Sequence, residues 1–308
     1  MTERAEPPKL PINIAWRSFG FVWRNLGAVI RVGFVPLLLA VSVYVLLFIY
    51  FPPTIAPFGD GAQPVPQIPA VIIEQLTMLL VSVMFVVGMH RLAILDERPN
   101  TLLHLRFQRE EVKYLLTFIV FFLGFLLALV VLAGIGYALI VTVGGPEAIE
   151  FFSTPTGIVA AVFLYIVLFV LLMWPTFRLS LAFPHAAITG RMDFGLSWRS
   201  TRGNFLRYIG IAVLFVLILL VIYALFIAVF FGVMYTLAQI VAQTPQPGAI
   251  IDASPDAMFQ GVEGWRSALA VGIAAALLVS FAGVVQAAGV TTVSLAYKAL
   301  ILRNYEAA

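Results

Sequence analysis

Long apolar stretches constrain this chain more than any other feature of its sequence. Six of them are long enough to cross a bilayer as helices, since about 20 mostly apolar residues span the hydrocarbon core. They cover residues 32–51, 71–95, 114–143, 157–183, 208–241 and 268–302. Hydrophobic residues make up 62% of the chain and charged residues only 11%, too little charge for a soluble surface. The sequence therefore predicts an all-α membrane protein with six transmembrane helices, and it excludes a soluble enzyme, a disordered chain and a nucleic-acid-binding domain.

The positive charges predict the orientation of these spans. Seventeen of the 18 Lys and Arg residues lie in the two terminal segments and in the second and fourth connections, and Arg266 is the exception. Positive residues concentrate on the cytoplasmic side of membrane proteins. We therefore expect both termini in the cytoplasm. The other three connections are acidic and rich in Pro and Gly, which predicts irregular loops.

Amphipathic segments precede the odd-numbered spans. The first carries an apolar stripe at helical spacing, which consists of Ile12, Trp16, Phe19, Trp23 and Leu26. A second helix is predicted to start at Asn100 and a third near Asp193. Indole rings favour the headgroup layer, so Trp16, Trp23 and Trp198 are candidate interfacial anchors. The pattern equally allows the first helix to pack on the protein's own spans, and the sequence leaves both interpretations open.

The order of amphipathic helix, span, outer loop and span occurs three times. The units cover about 12–95, 100–183 and 193–303 of a single transmembrane domain, 1–308. In each unit the second span ends with an aromatic or histidine ring followed by a cation, at Arg91, Arg178 and Lys298. This pattern predicts three helix-plus-hairpin repeats around a pseudo-threefold axis. Alternatively, each membrane hairpin simply ends with a cation near the cytoplasm.

The same three cations are the candidate binding residues of the chain. If the repeats are real, Arg91, Arg178 and Lys298 lie at one depth and could share a site for an anionic lipid headgroup or a phosphate, which Arg binds through its planar fork of donors. The alternative is that each cation extends separately to the surrounding headgroups. Membrane lipids are the partners that this reasoning predicts.

Catalytic and metal-binding patterns are not found in the sequence. There is no cysteine, and the three histidines lack carboxylates at metal-ligand spacing. We therefore predict no catalytic residue, no cofactor and no metal site. Gln286 stands within the last span between Gly283 and Gly289, where we expect an interhelical hydrogen bond at a contact of small residues.

One segment resembles a known family. Residues 184–204 read PHAAITGRMDFGLSWRSTRGN: a proline ends one span, and Ser197-Trp198-x-x-Thr201-x-Gly203 leads into the next. This is similar to the multi-span membrane domains that are fused to some bacterial glycerophosphodiester phosphodiesterases and that also occur alone. The resemblance implies a stand-alone module of the bacterial cytoplasmic (inner) membrane. The 308 residues contain no catalytic phosphodiesterase domain, so that activity is not implied.

These observations together predict a non-enzymatic membrane module that binds lipid or an envelope partner. The alternative is a transporter or channel for a small or amphipathic substrate. Internal repeats favour transport, since many carriers are built from them. The scarcity of ionisable groups within the spans argues against it.

Overall fold

The computed structural model describes residues 9–50, 68–101, 108–242 and 264–302. Within these ranges the chain is helical, with short connections and no strand. The helices are α1 (Ile14–Arg24), α2 (Leu26–Tyr50), α3 (Ile68–Leu95), α4 (Arg109–Ser153), α5 (Pro155–Leu179), α6 (Ala182–Thr189), α7 (Phe194–Ser200), α8 (Phe205–Ala242) and α9 (Gly264–Tyr297), which continues as a π-helix over Lys298–Leu302.

Six membrane spans lie within the described residues. Helices α2, α3, α4, α8 and α9 provide five, and the remaining span runs through α5 and α6. Each coincides with a predicted span, so the all-α membrane fold is confirmed. The threefold repeat and the bounds of its units stay a prediction, because residues 102–107 of the second amphipathic segment lie outside the described ranges.

The tightest packing lies where α3, α5 and α9 end. Ile94, Leu181 and Tyr297 belong to one buried cluster there, together with Tyr208 and Ile211 from the start of α8. Burial of these side chains ties three hairpins together at one end of the bundle. We call this the basic end, because the three candidate cations lie near the ends of α3 and α5 and on the π-helix.

Three shorter helices complete the basic end. Helix α1 packs on α8 and α9, α6 contacts α3, α4 and α9, and α7 contacts α5 and α6.

The chain before α1 is held in place at Leu10, which is fully buried. The N–H of Leu10 donates to Asn204 Oδ1 at 2.9 Å, and Arg207 Nη1 donates to the Leu10 carbonyl at 3.1 Å. Gly203, just before α8, has a φ of +80°, a conformation that favours glycine.

Away from the basic end, the spans bury little of their surface within the protein. None of the most apolar 18-residue window of α8 is buried. Large apolar side chains such as Leu127, Phe163 and Leu225 are mostly exposed. Lipid tails solvate such residues as well as other side chains do, so this exposure suits helices that face hydrocarbon.

The structure corrects two predicted boundaries. The third connection is not an irregular loop, because α4 continues to Ser153 and Thr154 alone separates it from α5. Thr154 Oγ1 accepts the N–H of Gly157 at 3.1 Å, and Pro155 occupies the first position of α5, so a new helix starts at once. Nor does a helix start at Asn100, since residues 96–101 are not helical. The connections at 51–67 and 243–263 lie outside the described residues.

Candidate functional site at the basic end

Arg178 lies over an aromatic platform in the last turn of α5. Its guanidinium carbon is 3.7 Å from the centroid of the Trp198 ring and 5.6 Å from that of Trp174, one turn earlier on the same helix. Nη2 donates to the Trp198 carbonyl at 2.6 Å. Nε is buried and has no hydrogen-bond partner. The side chain is therefore held in place while part of its donor capacity stays unused.

Helix α7 positions this platform by closing the end of α5. The hydroxyl of Ser197 donates to the Arg178 carbonyl at 2.7 Å, and Thr201 Oγ1 lies 3.3 Å from the same oxygen. Helix ends leave such carbonyls without a backbone donor, and the two hydroxyls replace it. Asp193 Oδ1 accepts the N–H of Leu196 at 2.7 Å and caps the start of α7. The Ser-Trp-x-x-Thr motif is thus a clamp between two helices.

Sequence reasoning did not find this clamp. The signal was present, because Ser197 and Thr201 are four residues apart and share a helix face. Their acceptor lies about 20 residues earlier in the chain, and no local pattern connects the two segments. Trp198, predicted as an interfacial anchor, is half-buried under Arg178.

Arg178 lacks a nearby counter-charge. The ion pairs among the described residues involve other arginines, Arg91 and Arg98, so no carboxylate lies within 4.0 Å of Arg178. Arg202 is close enough to repel it electrostatically. The charge is therefore uncompensated by this part of the protein.

Arg91 has the opposite surroundings. It is 9% exposed and forms a bidentate pair with Glu97, with Nε–Oε2 and Nη2–Oε1 distances both 2.7 Å. Nη1 lies 4.0 Å from Glu110 Oε1 and donates to the Ala187 carbonyl at 3.4 Å. Its charge is neutralised within the protein, and the side chain links α3 to α6.

Lys298 differs from both arginines, since it is exposed on the π-helix that follows α9. A cleft near the start of α4 is lined by Arg91 but by neither Arg178 nor Lys298. The three cations thus have three different environments, which favours separate roles over one shared site. Binding of an anionic headgroup at any of them stays a prediction.

The sequence left open whether α1 lies in the headgroup layer or packs on the protein's own spans. One face is buried against the protein, at Ala15, Ser18 and Val22, and Thr292 Oγ1 of α9 donates to Ser18 Oγ at 2.8 Å. The opposite face exposes Trp16 and Trp23, at 67% and 77%. The helix packs on the spans and still presents two indole rings outward, where their contact with headgroups stays a prediction.

Two histidines connect helices through hydroxyl groups. His90 Nδ1 lies 2.7 Å from Ser294 Oγ and joins α3 to α9. His185 Nδ1 lies 2.9 Å from the Tyr297 hydroxyl and joins α6 to α9. In the described part of the chain, no group of three His, Cys, Asp or Glu side chains could hold a metal ion. These histidines therefore link the helices of the basic end.

The prediction of an interhelical hydrogen bond at Gln286 is wrong. The side chain is exposed on α9, and no described atom lies within 4 Å of a Cβ placed at Gly283. The buried face of α9 at this height consists instead of Ala287 and Ala288, which pack on residues of α1 and α3.

No family model, no curated protein and no solved structure matches this chain, so the resemblance to phosphodiesterase membrane domains stays a prediction.

Proposed function

We propose that this chain is a non-enzymatic integral membrane module that binds anionic phospholipid headgroups at its basic end. We further propose that it resides in the bacterial cytoplasmic membrane with both termini inside. The surroundings of Arg178 carry this function: its guanidinium is fixed on aromatic rings, and no carboxylate of the described residues lies within 4.0 Å of it.

The chemistry of Arg178 favours a phosphate. A guanidinium in the interfacial region is stabilised by an acceptor with matching geometry, and phosphate oxygens match its fork of N–H groups. Stacking on Trp198 holds the guanidinium in one plane, so little side-chain entropy is lost when an anion binds. The exposed Arg199 and Arg202 on the same segment add positive potential that attracts anionic lipids.

Lipid titration by native mass spectrometry tests this proposal. We expect wild-type protein to bind phosphatidylglycerol more tightly than phosphatidylcholine with the same acyl chains. Arg178→Gln should weaken phosphatidylglycerol binding about tenfold, which corresponds to the loss of a charge-assisted hydrogen bond. Arg178→Lys should also weaken it, because an ammonium keeps the charge but cannot stack as a plane.

Arg191→Gln is the matched control. Arg191 is exposed in the turn between α6 and α7, and the substitution removes the same charge from the same end. We expect it to change phosphatidylglycerol affinity less than about twofold, as a general surface charge would. Equal losses of phosphatidylglycerol affinity in the two variants would indicate general electrostatic attraction rather than a binding site, and would overturn the proposal.

A further inference from the structure

A cleft of about 290 Å³ lies between α2, α3 and residues 97–101, which follow α3. One wall is apolar and comes from two membrane spans, with Val32 and Pro36 on α2 and Met84 and Gly88 on α3. The other wall is polar and comes from the end of α3 and the following segment. The volume is at the lower limit of small-molecule pockets, so it suits a headgroup better than a whole lipid.

The charged residues known to line this cleft carry both signs. Among the described lining residues, Arg91 and Arg98 oppose Glu97 and Glu111, and their formal charges sum to zero. Arg91 is already paired with Glu97. Arg98 is 59% exposed in its side chain, and its contact with Asp96 at 3.0 Å is also at the surface. Such a lining suits a ligand that carries both signs of charge better than a simple anion.

The polar wall offers donors and acceptors at neighbouring positions. Arg98, Asn100 and Thr101 can donate hydrogen bonds to a phosphate. Glu97 is 42% exposed in its side chain and pairs with Arg91, and a carboxylate has about four acceptor positions in all.

The apolar wall also contains a polar group of the backbone. Pro36 has no N–H, so it cannot complete the helical hydrogen bond to the carbonyl of Val32, four residues earlier. Both residues line the cleft.

We propose that this cleft binds the headgroup of a zwitterionic phospholipid with a primary ammonium group, such as phosphatidylethanolamine. The ammonium donates to Glu97, the phosphate accepts from Arg98 and Thr101, and the start of an acyl chain lies along Val32 and Met84. A lipid is favoured over a water-soluble phosphoethanolamine, because half of the lining belongs to membrane spans. This second site is separate from Arg178 and differs from it in headgroup preference.

Lipid competition with the full chain in detergent micelles tests this inference. By native mass spectrometry we expect phosphatidylethanolamine to bind about tenfold more tightly than phosphatidylcholine of equal chain length, since trimethylation removes the hydrogen-bond donors of the ammonium. Glycerophosphoethanolamine, which has the same headgroup without acyl chains, should not displace the lipid at equal concentration.

Two substitutions at the cleft give the decisive comparison. Thr101→Trp adds a bulky ring at an exposed edge and should weaken phosphatidylethanolamine binding at least about fivefold without disturbing the buried clusters. Glu97→Gln should abolish the preference for phosphatidylethanolamine over phosphatidylcholine. Thr189→Trp, exposed on α6 outside the cleft, is the size-matched control and should leave binding unchanged.

Three outcomes would overturn the inference: equal affinity for the two lipids, unchanged binding in Thr101→Trp, or displacement by glycerophosphoethanolamine. Arg178→Gln separates this inference from the proposed function, because it should reduce binding of phosphatidylglycerol while binding of phosphatidylethanolamine stays at the wild-type level.

Discussion

At the scale of single residues, Gly88 shows how closely α2 and α3 approach one another. A Cβ atom added at this position would lie 2.6 Å from Cγ1 of Val32, well inside van der Waals contact. Val32 is β-branched and has few alternative rotamers in a helix, so its methyl group cannot easily move aside. The close contact holds together the two helices that form the apolar wall of the cleft.

Gly88→Ala should therefore destabilise the protein by about 1–3 kcal/mol, the usual effect of overpacking. Gly124→Ala is the control, since Gly124 on α4 has open space around its Cα and alanine favours a helix by about 1 kcal/mol over glycine. Thermal unfolding in detergent measures both. A Gly88→Ala variant as stable as wild type would contradict the described contact. Adding Val32→Ala to the Gly88→Ala variant should restore its stability.

Residue types were easier to predict than their partners. Arg91 and Arg178 occupy similar positions in the sequence pattern, yet one is paired with Glu97 and the other is stacked on Trp198. Glu97 follows Arg91 by six residues through a break in the helix, where Asp96 has a φ of +53°. Helical spacing could not predict a pair that depends on how the chain leaves a helix.

At the scale of elements, α7 is a short helix that is held against α5 by its side-chain hydroxyls. It has seven residues, too few to be stable alone. Its position depends on the contacts of Ser197 and Thr201 with Arg178 and on the edge-to-face contact of Trp198 with Trp174, whose ring centroids are 5.3 Å apart.

Ser197→Ala should weaken this clamp. The Arg178 carbonyl would lose its shortest hydrogen bond, and we expect a loss of about 1 kcal/mol in the free energy of unfolding. Ser200→Ala, on the same helix without a described hydrogen bond from its hydroxyl, is the control and should be nearly neutral. Unfolding midpoints compare the two variants, and equal midpoints would argue against the clamp.

Most ends of the long helices were predictable within a few residues, because apolar length is a local property of the sequence, but the end of α4 at Ser153 was not. Helix α3 ends at Leu95 as expected, and α9 continues through the π-helix to Leu302. The division of the fourth span into α5 and α6 was not predicted, since Phe183 continues the apolar pattern. What separates the helices is the turn at Ser180 and Leu181, and Leu181 is buried in the core of the basic end.

At the scale of the whole molecule, the distribution of Lys and Arg makes the orientation testable. Reporter fusions after residues Pro64, Glu147 and Pro247 should report the outside of the membrane. Fusions after Pro99, Arg191 and Glu306 should report the cytoplasm, because basic connections are retained there. One hairpin with reversed reporters would disprove the six-span orientation.

The same charge distribution did not predict how the molecule is packed. Burial is concentrated where Ile94, Leu181 and Tyr297 meet, and the long spans bury little of their most apolar windows within the protein. Hydrophobic patterns cannot distinguish a lipid-facing residue from one facing another helix, since both are apolar. The core of the basic end could therefore be recognised only from the structure.

The three short helices of the basic end have a consequence for the shape of the surrounding bilayer. Within the described residues, helices α1, α6 and α7 add cross-section at one end of the bundle, so we expect this part of the protein to occupy additional area in the leaflet at that end. Inserting extra area into one leaflet bends a membrane toward convexity on that side. A bilayer crowded with this protein should therefore curve outward on its basic face, and the protein itself should prefer regions of matching curvature.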